Sequence, residues 1–281
     1  MAKKITIQKA QLGLLSREGD YYQVLEAGQH RLPWFNTPEV LIVNRDGGEV
    51  PQALAEYLRR FQPEWVARFC LVADTTDTEA AALYINGVLQ EILPPASRRL
   101  YWRADEALTL VRMDTREVQV PTDVMNAVLQ PRRSGAVKGR EAILTVQVPA
   151  WHVGVLKIDG ETQALLLPGL TAYWKVNHLI EAEVVDTRLQ VLEVGGQEIL
   201  TKDKVNLRLN LAANWRYRDV LLAFGQLTKP LDHLYRELQF ALREAVGTRT
   251  LDELLEDKLV IDEVVSAQVK ARMTPDRKSV V

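Results

Sequence analysis

The stretch Val205-Asn206-Leu207-Arg208-Leu209-Asn210-Leu211-Ala212-Ala213-Asn214-Trp215-Arg216-Tyr217 decides the fold class of this chain. Apolar and polar side chains alternate through it with a period of two, which only a strand with one buried and one wet face requires. Before it, residues 184–194 read as a partner strand. The Gly195-Gly196 pair and Gln197-Glu198-Ile199-Leu200-Thr201-Lys202-Asp203 read as the connection that turns the chain back. After it the period changes to three or four. Pro230 suits a first helical turn, Leu231, Leu234, Leu238, Leu242 and Ala245 form a stripe, and Gly247 is placed to close the helix as a left-handed cap. A second helix opens at Thr250 and Glu253, spaced as a capping box, with Leu251, Leu254, Leu255, Leu259 and Val265 as its stripe, running on through Val269 to Met273.

The words in this order are specific. Val185-Asp186-Thr187-Arg188, the heptapeptide of residues 197–203, the strand ending Trp215-Arg216-Tyr217, and Leu242-Arg243-Glu244-Ala245-Val246-Gly247-Thr248-Arg249-Thr250-Leu251-Asp252-Glu253-Leu254-Leu255 together resemble the stomatin/prohibitin (SPFH, or band 7) family, closest to bacterial slipins. The resemblance implies an α+β domain, a small antiparallel sheet with helices packed on one side. It implies a non-enzymatic scaffold that oligomerises at membranes, organises lipid microdomains and regulates partner membrane proteins. It also implies no catalytic, cofactor-binding or metal-binding residue. Slipin-like proteins are associated with NfeD-type membrane proteins or proteases, which makes these the implied partners beside self-association. In the family a further strand and a long coiled-coil helix follow the second helix. Their absence after residue 273 leads us to expect a truncated tail over residues 274–281 and a weakened homo-oligomer.

An internal repeat lies upstream. Tyr101-Trp102 and Asp114-Thr115-Arg116 recur as Tyr173-Trp174 and Asp186-Thr187-Arg188, each 72 residues later. Each tryptophan follows a hairpin signature, Asn86-Gly87 in one copy and Asp159-Gly160 in the other, because both turn positions accept positive φ. A fainter copy opens the chain, with Glu18-Gly19, Ala27-Gly28 and Trp34 in the same layout but no Asp-Thr-Arg ending. The expected organisation is therefore a β-rich region of partial hairpin repeats over residues 1–130, a linker at 131–148 and the SPFH domain at 149–273. The linker assignment rests on Gln130-Pro131-Arg132-Arg133-Ser134-Gly135-Ala136-Val137-Lys138-Gly139-Arg140, rich in Gly, Pro and basic residues. Residues 51–61 read as a short helix carrying Leu54, Tyr57, Leu58 and Phe61 on one side, and Pro63 restarts the chain before a strand containing Cys70.

Composition narrows the function. The 281 residues exceed one ordinary domain, and 35 Lys plus Arg against 37 Asp plus Glu leave a net charge of -2, with no electrostatic footprint for nucleic acid. The single cysteine, Cys70, cannot form an intramolecular disulfide, which fits a reducing compartment. The amino terminus carries charge without an apolar signal region, and the longest uncharged run, residues 142–156, falls short of the ~20 apolar residues that span a bilayer. The expected location is the cytoplasmic face of a membrane, peripherally.

His30, His152, His178 and His233 are scattered, with no two at metal-ligand spacing. Ser16 and Ser134 have no neighbouring base, and the carboxylate pairs Glu181 with Glu183 and Asp252 with Glu253 suit a solvated strand and a helix first turn. Trp102, Trp174 and Trp215 read as core. Arg132, Arg133, Lys138 and Arg140 offer a basic loop that could touch anionic headgroups, although charges on such a loop are more often simply solvated. A soluble protein-binding module using the duplicated hairpins is the alternative function, and free strand edges in the repeats are its candidate surface.

Overall fold

The computed structural model describes residues 3–104, 107–130 and 136–273, together an α+β chain of seventeen strands and seven α-helices among the described residues. Three repeats of five strands occupy its first two thirds. The first comprises β1 (Lys3–Ile7), β2 (Gln11–Arg17), β3 (Asp20–Leu25), β4 (Gly28–Leu32) and β5 (Glu39–Asn44). The second comprises β6 (Cys70–Asp74), β7 (Glu79–Ile85), β8 (Val88–Leu93), β9 (Arg98–Trp102) and β10 (Leu108–Asp114). The third comprises β11 (Ile143–Val148), β12 (His152–Ile158), β13 (Glu161–Leu166), β14 (Gly169–Trp174) and β15 (Ile180–Asp186).

All three share one connectivity. The first strand pairs with the fourth, and the second lies between the third and the fifth, giving β3-β2-β5, β10-β7-β8 and β13-β12-β15. The hairpins expected from the turn signals are thus the middle of a larger unit. Each repeat also contains the strand before its hairpin, which the turn residues do not mark. The faint first copy is genuine. Arg45 N–H donates to the Ala10 carbonyl at 2.7 Å where Thr115 and Thr187 donate to Thr78 at 2.8 Å and Trp151 at 3.0 Å, so the tie between fifth strand and first turn survives without Asp-Thr-Arg.

A helix follows each repeat and covers its three-stranded sheet. α1 (Gln52–Phe61) places Leu54, Ala55 and Leu58 on Leu12 and Leu14, while Phe61 is exposed. Pro63 begins a second helix, α2 (Pro63–Phe69), at the N1 position proline favours, where a plain restart of the chain was expected. α3 (Thr122–Leu129) packs Val124, Met125 and Val128 on Ala80, Ala82 and Leu89. After the third repeat, α4 (Val220–Gln226) brings Val220 onto Val155 and Val185.

The segment expected as a flexible linker is docked where it is described. Val137 is buried, Lys138 exchanges backbone hydrogen bonds with Gln90 and Ile92 on the outer edge of β8, and Gly139 passes so close that a Cβ would sit 2.0 Å from the Ile92 carbonyl oxygen. Arg132, Arg133 and Ser134 lie outside the described residues, as does the tail of residues 274–281. Contacts divide the chain into two compact units, residues 1–145 with 171–177 and residues 146–170 with 178–281.

In the second unit the alternating segment forms β17 (Asn206–Trp215), antiparallel to β16 (Gln190–Leu200). The expected single partner strand at 184–194 is instead two, β15 and β16, broken at Thr187 by the Asp186–Arg188 tie. Gln197 to Leu200 belongs to β16, and only residues 201–205 turn. Gly195 and Gly196 form a bulge, Gly196 at φ +65°, which lengthens the strand instead of ending it. α5 (Pro230–Gly247) buries Leu234, Leu238, Ala241, Leu242, Ala245 and Val246 on this hairpin. Gly247 is its last helical residue and Thr248 caps it in a right-handed conformation, so no left-handed glycine closes the helix. The Thr250–Glu253 capping box is present at α6 (Leu251–Glu256), but Asp257 ends that helix and caps a separate α7 (Lys258–Arg272). Leu254, Val265, Val269 and Met273 are buried, whereas Leu231, Leu255 and Leu259 face outward.

Candidate functional site

The residues with enzymatic potential do not converge. His30 contacts the Glu26 carbonyl at 2.7 Å, His152 the Ala150 carbonyl at 3.0 Å, and His178 the Asp159 carboxylate at 2.7 Å. His233 lies in the first turn of α5, where its N–H donates to the Lys229 carbonyl at 3.1 Å. Among the described residues no three His, Cys, Asp or Glu side chains gather as metal ligands would. Cys70 is buried between Trp102 and α2, and burial pushes its thiol up to about 11. Ser16 is buried in β2, Glu181 and Glu183 are exposed on β15, and Asp252 and Glu253 lie in the first turn of α6. The Glu253 carboxyl is held below its usual range by the Thr250 backbone N–H, as a cap requires. Lys138 and Arg140 are exposed, but their backbone is docked. Trp102, Trp174 and Trp215 are buried as expected.

The family words turn out to be a clamp. Thr201 is buried and accepts from Val205 N–H at 2.9 Å, folding the β16–β17 turn. From that turn Lys202 N–H donates to the Arg249 carbonyl at 2.8 Å, and Asp203 accepts from Leu251 N–H at 3.2 Å. Arg243 reaches Gln197 at 3.3 Å. Hydrogen bonding to Thr201, and then to Leu251, holds the Asp203 carboxyl below its ordinary range. The heptapeptide and the Thr-Arg-Thr run are specific as a pair because each satisfies orphan groups of the other.

Two surfaces remain as candidates for recognition. One is a cavity of about 390 Å³ bounded by Leu211 and Trp215 of β17, Leu234 and Leu238 of α5, and Val265 and Val269 of α7. The other is an apolar rim on the third repeat. Register places Gly154 opposite Leu166 and His152 opposite Asp186, so Trp151, Leu167 and Leu189 lie toward one end of the β13-β12-β15 sheet. They are 70%, 76% and 66% exposed. Equivalent positions in the first repeat hold Ala10 and Glu26, and in the second Thr78 and Glu117. Neither the apolar character nor the position follows from strand pairing; sequence reading passed over it because three separate turns supply the residues.

Comparison with known proteins places an SPFH domain in the carboxyl-terminal part of this α+β chain. The SPFH domain / Band 7 family matches residues 146–277. Stomatin homologs from Pyrococcus horikoshii and Pyrococcus abyssi are each 37% identical over 78 residues, 28% of this chain and 29% of theirs. An uncharacterized protein from Archaeoglobus fulgidus is 33% identical over 114 residues, 40% of this chain and 44% of that protein. The chain spans less than half the length of these relatives.

Proposed function

We propose that this chain is a non-enzymatic, slipin-like scaffold that lies peripherally on the cytoplasmic face of a membrane, self-associates, and organises lipid microdomains or regulates a membrane partner of NfeD or protease type. The observation that carries the reading is the SPFH domain over residues 146–277. Among the described residues no helix is long and apolar enough to cross a bilayer, so attachment in this reading falls to surface residues. The rim of Trp151, Leu167 and Leu189 suits that task. Tryptophan prefers the headgroup boundary, and inserting a leucine contributes ~1.5–3 kcal/mol by removing apolar area from water. Clusters of exposed apolar side chains on otherwise polar surfaces mark contact sites.

Co-sedimentation with vesicles of phosphatidylglycerol and phosphatidylcholine tests the proposal. Wild-type chain is expected to pellet with vesicles, and the Trp151→Ser/Leu167→Ser pair to bind at least roughly tenfold more weakly, as the lost area dictates. A chain that stays monodisperse in the supernatant at every lipid concentration overturns the scaffold reading. It would favour the alternative, a soluble protein-binding module that uses the duplicated hairpins.

A further inference from the structure

In the third repeat the strand that carries the tryptophan is seated on the copy before it in two places. One is a segment that the preceding copy lays along that strand, a contact that the second repeat also has. Residues 48–50 run along β9, where Trp102 N–H donates to the Gly48 carbonyl at 2.9 Å and Val50 N–H to the Leu100 carbonyl at 2.8 Å. Residues 118–120 run along β14 in the same register, Trp174 N–H donating to Val118 and Val120 N–H to Ala172, both at 2.8 Å. The occupants are alike. Val50 and Val120 are buried, each is followed by proline, and the helix that the proline starts shares a buried cluster with the indole. The other place is the turn after the tryptophan. Lys175 N–H donates to the Ala142 carbonyl at 2.8 Å, Asn177 Nδ2 to the Asp77 carbonyl at 2.9 Å, and Val176 packs against the cluster of Ala80, Ala82 and Leu89.

Among the described residues the first repeat shows neither contact. Gly28 and Gly169, both at φ +146°, open the corresponding strands, and five residues on stand Pro33 and Trp174. Asn36 and Asn177, both left-handed, follow at the same offset. Pro33 has no N–H where Trp102 and Trp174 donate, so the group that seats a preceding segment is missing. Trp34 and Phe35 take the places of Lys175 and Val176. They stand 72% and 78% exposed, their rings edge to face at 6.2 Å.

The turn that carries them demands little water. Pro33 and Pro38 bring no N–H, and the Thr37 hydroxyl donates to the Pro33 carbonyl at 3.1 Å and lies 3.2 Å from that of Trp34. Unsatisfied backbone groups are a chief cost of entering the apolar boundary of a bilayer, and here they are reduced. Charge points the same way. Residues 3–9 and 28–38, the β1–β4 ribbon with its turn, hold Lys3, Lys4, Lys9, His30 and Arg31 and no acidic residue, in a chain of net charge -2. The flanking acids are Glu26, paired with Arg68, and Glu39. Register sets Lys3 opposite Leu32 and Lys4 opposite Arg31, next to the turn, and all three basic side chains are exposed. Exposed aromatics beside a cationic ribbon suit an anionic headgroup boundary.

We propose that the Trp34–Phe35 turn, with Lys3, Lys4 and Arg31 beside it, is a contact site for an anionic lipid bilayer. It is distinct from the rim of Trp151, Leu167 and Leu189 and does not depend on lipid binding there. A second copy of the chain is the weaker occupant, because the surface of the second repeat that receives the equivalent turn is already filled by Val176.

The test compares co-sedimentation of the full chain with vesicles of phosphatidylcholine alone and of phosphatidylcholine mixed with phosphatidylglycerol. Binding to the mixed vesicles is expected to weaken at least roughly tenfold in Trp34→Ser/Phe35→Ser, as the lost aromatic area dictates. Lys4→Glu/Arg31→Glu is expected to cost about as much and to remove the preference for phosphatidylglycerol. These four side chains are exposed, so the variants keep the wild-type circular dichroism, which is recorded alongside. Binding lost in Trp34→Ser/Phe35→Ser and kept in Trp151→Ser/Leu167→Ser supports the turn and removes the rim. The reverse result overturns this inference and leaves the rim standing. A preference for phosphatidylglycerol that survives the charge reversal overturns it, as does a wild-type chain that pellets with neither vesicle. Dimerisation of the chain without lipid, abolished by Phe35→Ser in sedimentation velocity, overturns it in favour of a second copy.

Discussion

The first repeat and the two that follow it share one connectivity, yet the first carries Pro33 where strand register places Trp102 and Trp174 in the others, and its Trp34, one residue on, stands in solvent while those two are buried. In the second and third repeats the indole is covered by the Val-Pro segment delivered by the preceding copy, together with the helix that the proline starts. A tryptophan at this position is therefore buried by residues that its own repeat does not supply.

Substitution can break that comparison. Trp174→Ala removes a side chain at the centre of the second junction and is expected to cost about 3–5 kcal/mol in denaturant unfolding, whereas Trp34→Ala should stay within roughly 0.5 kcal/mol. Equal costs would mean that the two indoles share an environment and would dissolve the contrast. A step smaller is Val120→Ala, which takes two buried methyl groups from the occupant; a loss of roughly 1–2 kcal/mol is expected, with increased indole exposure reported by acrylamide quenching. Unchanged quenching would mean that the segment does not cover the tryptophan.

The smallest expected effect sharpens the comparison at the repeat ends. Arg188 donates to Asp186 through its backbone and its guanidinium, with contacts from 2.6 to 3.1 Å, and this holds the carboxyl far below its ordinary range. A depressed carboxylate contributes stability that is present above its unfolded pKa of ~3.9 and is lost as pH falls through the folded value. Asp186→Asn should therefore lower the melting temperature slightly at pH 7, with the gap to wild type closing below about pH 4. The first repeat has Asn44-Arg45-Asp46 at this place, so Asp46→Asn should leave no such pH-dependent gap. A gap of equal size there would show that the tie is not specific to the Asp-Thr-Arg copies.

Much of the fold was legible because its signals are local. The alternation at residues 205–217, the capping box at Thr250 and the turn pairs Asn86-Gly87 and Asp159-Gly160 each fix backbone geometry within a few residues. The strands β1 and β11 were not, since each pairs with a partner more than twenty residues away and no turn marks it, whereas β6 was read as the strand containing Cys70. The two-helix reading failed for a similar reason. Asp257 both ends α6 and caps α7, a break that the leucine spacing hides. The linker reading followed composition, but Gly139 is required there by close approach to Ile92, not by freedom of the chain. Of the two recognition surfaces, the apolar rim was not legible, because three separate turns supply Trp151, Leu167 and Leu189. That Trp34 is not the counterpart of Trp102 and Trp174 was hidden as well, since only strand register sets Pro33 in that place.

Closure by the preceding segment also gives the array a direction. Melting the first repeat would loosen the Val50 segment and strip the second of its cover, since in each junction the strap belongs to the earlier copy. Such a chain can be lengthened by splicing a whole unit of about seventy residues between existing ones, each newcomer arriving with the strap for its successor.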